Sequence, residues 1–372
     1  MLSMDVIPKD VIFYNICYYD YEVASLFSLL CKTYNELAKG YNGESRTPKG
    51  YFLKEVIGTD IYMNLYKYKY KFYINKFNNM KENIYQSWYH EGNKLKKYFY
   101  TNGKLDGKYK KYHKSGNKFI ECKYKNNELH GKHFKYYENG NKHEECNYIN
   151  GKLNGKYFKY YENGNKREEC NYKNNKLDGK YLEYYENGNI MIKRNYKEDK
   201  LDGEYFKYYE NGNKREECNY KDNKLNGKCF NYYENGNTMI EGNYKNNNKD
   251  GKYLEYYENG NKYEERNYKD NKLDGKYLRW CTNKIKEVHC YYNYGKLDGK
   301  YQSWYDNGNK LEECNYNEGI LDGKYQLWYF NEKKHIECWY KNGRKDDEYF
   351  KWHNNGTIWE NFNYKNVYPI QQ

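Results

Sequence analysis

The sequence predicts a mainly β protein: an extended single-sheet ribbon of about twelve antiparallel β-hairpin repeats, preceded by a small N-terminal α-helical domain. Three observations predict it. A glycine recurs every 24 residues from Gly107 to Gly323 without insertion. Each interval holds two short aromatic-rich runs on either side of Asn-Gly, the local signature of a hairpin. The first 40 or so residues lack the period and place their apolar residues at helical spacing instead.

Composition narrows the kind of core such a chain can have. Its 372 residues carry 31% charged side chains and a formal net charge of +13, with a mean hydropathy of -1.38. Aliphatic residues are too few for a thick core, yet 55 tyrosines supply apolar rings whose hydroxyls can stay wet, which suits a thin, half-solvated sheet. No run approaches the roughly 20 apolar residues that span a bilayer, and no basic-then-apolar leader opens the chain. The expectation is a soluble, intracellular protein that is not secreted. Of eleven cysteines, seven (Cys122, Cys146, Cys170, Cys218, Cys290, Cys314, Cys338) fall at multiples of 24. That is a repeat column rather than a metal or disulfide code, so these are expected to be reduced, face-filling thiols.

Residues 1–40 read as three short helices, carried by Val11, Ile12 and Ile16, then Val23, Leu26 and Leu30, then Tyr34, Leu37 and Ala38. Pro8 and Asp10 mark the first start. Residues 41–65, with Gly, Ser, Thr and Pro48, read as a connector that holds a further helix. Tyr66, Tyr68, Tyr70 and Phe72 alternate with lysines, a strand pattern that opens a hairpin array spanning 66–370. Extending the period outward puts Asn83 and Asp347 at the glycine position, in degenerate terminal units that cap the array.

One unit, Gly155 to Asp178, shows the reasoning. Lys156–Tyr161 and Lys166–Lys173 flank Glu162-Asn163-Gly164-Asn165. A three-residue type I turn with a glycine bulge would group Phe158 and Tyr160 with Glu168, Cys170 and Tyr172 on one apolar face. On that reading the Tyr/Trp column from Trp88 through Tyr160 to Trp352 and the Tyr column from Tyr100 through Tyr172 to Tyr364 form a common spine.

The Gly-Lys-Tyr, Tyr-Tyr-Glu-Asn-Gly-Asn and Asn-Tyr-Lys-Asn elements resemble the MORN repeat in its second, YwqK-like variant, over roughly three quarters of the chain. The resemblance implies a non-catalytic scaffold that binds proteins or acidic phospholipid headgroups, and no cofactor. The N-terminal string Ile7-Pro8-Lys9-Asp10-Val11-Ile12, with Ile16, Leu26, Leu30-Cys31-Lys32, Tyr34 and Leu37, resembles the F-box, with Ile7 for its usual Leu and Tyr34 for its usual Trp. That resemblance implies that Ile7, Pro8, Val11, Ile12, Ile16, Leu26, Leu30, Cys31, Tyr34 and Leu37 dock a Skp1-like adaptor, so that the repeats recruit an unknown target to a cullin ubiquitin ligase. The competing reading is a helical cap over the first sheet edge. Together with the Lys/Asn/Tyr bias, the two resemblances make the chain similar to proteins of mimivirus-type giant DNA viruses, which implies the host cytoplasm.

Lysines after the glycine and in the inter-hairpin loop, Lys132, Lys156, Lys173, Lys176, Lys180, Lys221 and Lys224 among them, are the candidates for acidic phospholipid headgroups. Acidic residues in the same loops and strands neutralise much of that charge and disfavour nucleic acid. The eight histidines are scattered, and no nucleophile, phosphate loop or metal spacing appears, so no enzyme is expected.

Overall fold

The computed structural model describes residues 7–17, 21–30, 32–45, 47–62 and 66–364. The chain divides into two compact units, Met1–Lys176 and Leu177–Gln372. Both are built of antiparallel hairpins, and the fold is mainly β, as the 24-residue period predicts.

The first unit opens with helical segments Val11–Ile16, Tyr21–Leu30 and Lys32–Leu37. Val11–Ile16 is wound as a π-type turn, with the Cys17 amide donating to the Ile12 carbonyl at 2.8 Å. Ile12, Cys17, Leu37 and Ala38 form a small core, on which Ile7, Ile16, Phe27 and Tyr34 pack. A further helix, Pro48–Phe52, starts where Thr47 Oγ1 accepts the Gly50 amide at 3.1 Å, with Pro48 in the first turn where its missing N–H costs nothing.

The sheet begins earlier than the alternation of Tyr66–Phe72 suggests. Leu53–Tyr62, inside the segment read as a connector, is a ten-residue strand paired in full register with Tyr66–Asn75. Its partner supplies the aromatic residues, so the strand itself carries little periodic signal. Ala24, Phe52, Leu53 and Tyr73 form a second core that ties the helix Tyr21–Leu30 to this edge, and Asn83 Nδ2 donates to the Tyr21 hydroxyl at 2.5 Å.

From Lys81 onward every hairpin repeats one register. In the unit starting at Gly155, Tyr157 faces Cys170, Phe158 faces Glu169 and Lys159 faces Glu168. The turn is the expected three-residue type. The Tyr161 amide donates to the Asn165 carbonyl and the Gly164 amide to the Tyr161 carbonyl, with Gly164 at φ 95°. The predicted side-chain phase is nevertheless wrong, because the pairing skips Arg167: Tyr160 faces Lys166, while Lys159 faces Glu168. This second bulge shifts the strand by one residue, which exchanges its faces. Cys170 and Tyr172 therefore lie with Tyr157 and Lys159, while Phe158 and Tyr160 lie on the opposite face with Glu169. The two aromatic columns read as one spine occupy opposite faces.

The glycine opening each first strand sits in left-handed backbone, φ 91° at Gly155. Asn83, at the same position in the first hairpin, adopts φ 62°, which asparagine tolerates better than most residues. The second unit repeats this register from Gly179 onward and ends with Ile358–Asn363 paired to Arg344–Trp352. Among the described residues no helix is long and apolar enough to cross a membrane, which leaves strands out of consideration.

Candidate functional site

The two faces of each hairpin differ in chemistry. On the cysteine face the thiol is the smallest group and the most deeply covered; Cys170 is 1% exposed. It is screened by two tyrosines that meet edge to face, Tyr157 and Tyr172, with ring centroids 5.6 Å apart. The same pair recurs as Tyr109 with Tyr124 in the first unit, and as Tyr181 with Tyr196, Tyr253 with Tyr268 and Tyr325 with Tyr340 in the second. Each contributes about 0.5–1.5 kcal/mol beyond its burial. Burial pushes the Cys170 thiol up to about 12, as it does for Cys290 and Cys314, so these groups are inert packing elements at neutral pH.

One cysteine departs from this pattern. Cys218 is bonded to Cys229 across adjacent strands, which corrects the expectation that the column cysteines are all free. The partner is not another column cysteine. Cys229 occupies the tyrosine position that faces the column, and the pair lies directly opposed in the ladder.

The other face is a ladder of aromatics, lysines and glutamates. Lys166 Nζ sits 2.8 Å from Glu169 and 5.2 Å from the Phe158 ring centre, and Lys142 with Glu145 and Phe134 repeats the arrangement. The Lys118 bond, helped by Lys110, holds the Glu121 carboxyl below the usual carboxylate range. In the second unit the lysine after the glycine is also paired: Lys228 with Glu241, Lys252 with Glu265, Lys300 with Glu313 and Lys324 with Glu337, at 2.8–3.3 Å. The seven candidate lysines Lys132, Lys156, Lys173, Lys176, Lys180, Lys221 and Lys224 are all exposed. Lys221 and Lys224 face each other in the ladder across a two-residue turn.

Neighbouring repeats are clamped at both edges by groups the sequence reading passed over. At one edge the second tyrosine of Tyr-Tyr donates its hydroxyl to a backbone carbonyl 23 residues on, as in Tyr137 to Tyr160 and Tyr209 to Tyr232, both 2.8 Å. At the other edge the Asn175 side-chain Oδ1 accepts the Leu153 backbone amide at 2.6 Å while the Asn175 backbone N–H donates to the Leu153 carbonyl. Only the spacing of Tyr-Tyr and Asn-Asn could have signalled these bonds.

The N-terminal candidates split between core and surface. Ile12 and Leu37 are buried; Ile7, Val11, Ile16 and Tyr34 are half-buried; Pro8, Leu26 and Leu30 are exposed; and Cys31 lies outside the described residues. The helix Tyr21–Leu30 buries Ala24 against the sheet and leaves Leu26, Leu29 and Leu30 at 57%, 81% and 58% exposure. Leu29, not singled out from sequence, is the most exposed of the three. Leu26 and Leu29 also line one wall of an open groove of about 380 Å³ whose other wall includes Phe99 and Tyr100 of the sheet.

Eight segments match a family model described as the MORN repeat variant: residues 105–126, 129–150, 153–174, 177–198, 201–222, 225–246, 249–270 and 297–318. Hairpins outside these segments, such as Gly275–Trp280 with Lys286–Asn293 and Gly323–Trp328 with Lys334–Lys341, keep the same pairing and the same bulge. None of the curated proteins compared matches the chain.

Proposed function

We propose that this chain, eight of whose hairpins match the MORN repeat variant, is a non-catalytic scaffold that joins two proteins, with the N-terminal helices as an F-box-type adaptor element and the hairpins as the receptor for a target. The observation that carries this reading is the strip Leu26, Leu29 and Leu30. Three large aliphatic side chains at i, i+3 and i+4 stand in solvent on a helix whose opposite side is anchored by Ala24 and Tyr21. Fully covering one such side chain is worth about 1.5–3 kcal/mol, so the strip is suited to an apolar partner surface. Ile12 and Leu37 are buried in the small N-terminal core, on which Phe27 of the same helix packs, so in this reading they do not touch the partner. The adaptor in this reading is Skp1-like, supplied by a host cell in keeping with the resemblance to giant-virus proteins.

The test is binding of the full chain to a purified Skp1-like adaptor, compared with a Leu29→Ser, Leu30→Ser variant. Loss of binding in the variant with an unchanged circular dichroism spectrum supports the proposal; no binding by the parent chain, or equal binding by both, rejects it. A second reading, a scaffold on acidic phospholipid, draws on the opposed Lys221 and Lys224. It predicts salt-sensitive flotation with acidic vesicles that falls when Lys221 and Lys224 are changed to Glu. Pairing of the lysines at 228, 252, 300 and 324 with glutamates makes it the weaker of the two.

A further inference from the structure

The position that faces the cysteine column occurs twelve times from Tyr85 to Tyr349 and holds tyrosine at ten of them; the other two are His133 and Cys229. Both replacements bring a metal-ligating side chain against a Glu-Glu-Cys segment. At the second place the new thiol is consumed in the Cys218–Cys229 disulfide. At the first, nothing is consumed. We propose that His133, Glu144 and Cys146 form a binding site for a Zn²⁺-type divalent cation, with one coordination position left open.

The geometry is that of three converging donors. Cys146 Sγ lies 3.8 Å from His133 Nδ1 and 3.8 Å from Glu144 Oε1, and His133 Nδ1 lies 3.9 Å from the same carboxylate oxygen. Around a tetrahedral zinc ion with bonds of about 2.0–2.3 Å, such donors stand roughly 3.3–3.6 Å apart. Contraction by roughly 0.3–0.6 Å therefore closes the site, within reach of side-chain rotation. The ligands come from adjacent strands in fixed register, His133 directly opposite Cys146 and Glu144 two residues before it, so the backbone already holds them together.

The surroundings suit a resident ion. The three residues are 7%, 7% and 2% exposed, so few waters compete. Lys135 Nζ holds the other carboxylate oxygen, Glu144 Oε2, at 2.9 Å, which aims Oε1 at the donors as an outer partner does in metal sites. Tyr148 meets the His133 ring edge to face, with ring centroids 5.7 Å apart. On binding, the Cys146 thiol gives its proton to solvent and ligates as thiolate. One thiolate and one carboxylate then balance the dication, and the neutral imidazole completes the protein set. The ligand types favour zinc or cobalt over calcium or magnesium, which prefer all-oxygen sites.

Titration of the full chain with Co²⁺, without thiol reductant so that Cys218–Cys229 stays bonded, tests the proposal. The expected result is one equivalent bound, a sulfur-to-cobalt charge-transfer band in the near ultraviolet, visible bands of four-coordinate intensity, and loss of all of them on adding Zn²⁺. His133→Tyr restores the residue the column holds elsewhere, so it should fold; it should weaken binding by at least about 100-fold, and Cys146→Ser should abolish the charge-transfer band. Zn²⁺ should raise the melting temperature of the parent chain and not that of His133→Tyr. Absence of the charge-transfer band in the parent chain overturns the site, and so does binding that survives in either variant.

Discussion

The edge clamp makes a quantitative prediction at an internal hairpin of the second unit where its tyrosine is missing. Tyr185, Tyr209, Tyr233, Tyr257, Tyr305 and Tyr329 each donate to a carbonyl 23 residues on, at 2.8–3.0 Å. Between them the same position is Cys281, whose thiol is too short to reach the equivalent acceptor, the Trp304 carbonyl. The turn backbone is otherwise kept: the Cys281 amide donates to Ile285 and the Lys284 amide to Cys281. Cys281→Tyr should therefore insert a ring along the edge and a neutral hydrogen bond to the neighbouring repeat. The bond is worth about 1 kcal/mol, or roughly a five-fold change in a local opening equilibrium. Cys281→Phe supplies the ring alone and isolates the hydroxyl. Because each repeat leans only on its neighbours, the change should be read locally, by native-state hydrogen exchange at the 281–285 turn and at residues 304–310. The Tyr variant should exchange about five-fold more slowly than the Phe variant there and equally elsewhere. Equal rates in the two variants would refute the assignment of the hydroxyl as a clamp.

Three more outcomes follow from the same structure. Asn223 holds φ 66° and accepts the Leu201 amide at 2.7 Å, so Asn223→Ala should cost about 2–3 kcal/mol in urea unfolding; Asn223→Asp should be nearly neutral, because Asp199 does the same work for Leu177. Burial alone would raise the Glu313 carboxyl, but bonds from Lys300, Lys310 and Gln302 bring it down to about 2. Its folded value is below its unfolded one, so its contribution is present above the ordinary carboxylate pKa of about 4.3 and is lost as pH falls from there towards 2; Glu313→Gln should flatten that part of an acid-unfolding curve. Among the described thiols, Cys281 is the only free one that is not buried, so iodoacetamide at pH 8 should label it first, with Cys170, Cys290 and Cys314 protected until unfolding; early labelling of those three would contradict their burial.

Much of the site was legible for reasons that can be stated residue by residue. Gly164 and Gly155 mark turns because their backbones are left-handed, a requirement that acts within four residues and leaves its trace in the chain itself. The helix Tyr21–Leu30 shows in the spacing of Val23, Leu26 and Leu30. What failed was the side-chain phase of the second strand. The bulge at Arg167 is set by how Lys166–Lys173 pairs with Gly155–Tyr160, and the residue itself carries no mark of it. One skipped residue moved Cys170 and Tyr172 to the face opposite Phe158, and every column argument that joined them fell with it. Leu29 was missed for a related reason: which side of an apolar helix stays wet depends on where Phe52, Leu53 and Tyr73 meet it.

Taken by itself, the sequence determined the period, the turn chemistry, the hairpin architecture and the helical character of the N-terminal segment, because each rests on backbone preferences or patterns confined to neighbouring residues. Tertiary structure alone decided which side chains share a face, that Cys218 meets Cys229, that His133 stands within 4 Å of both Glu144 and Cys146, and that Leu26, Leu29 and Leu30 are left in solvent. Those outcomes depend on strand register and on docking between segments distant in the chain. A shift of one residue in pairing reverses a face, and no local propensity encodes it.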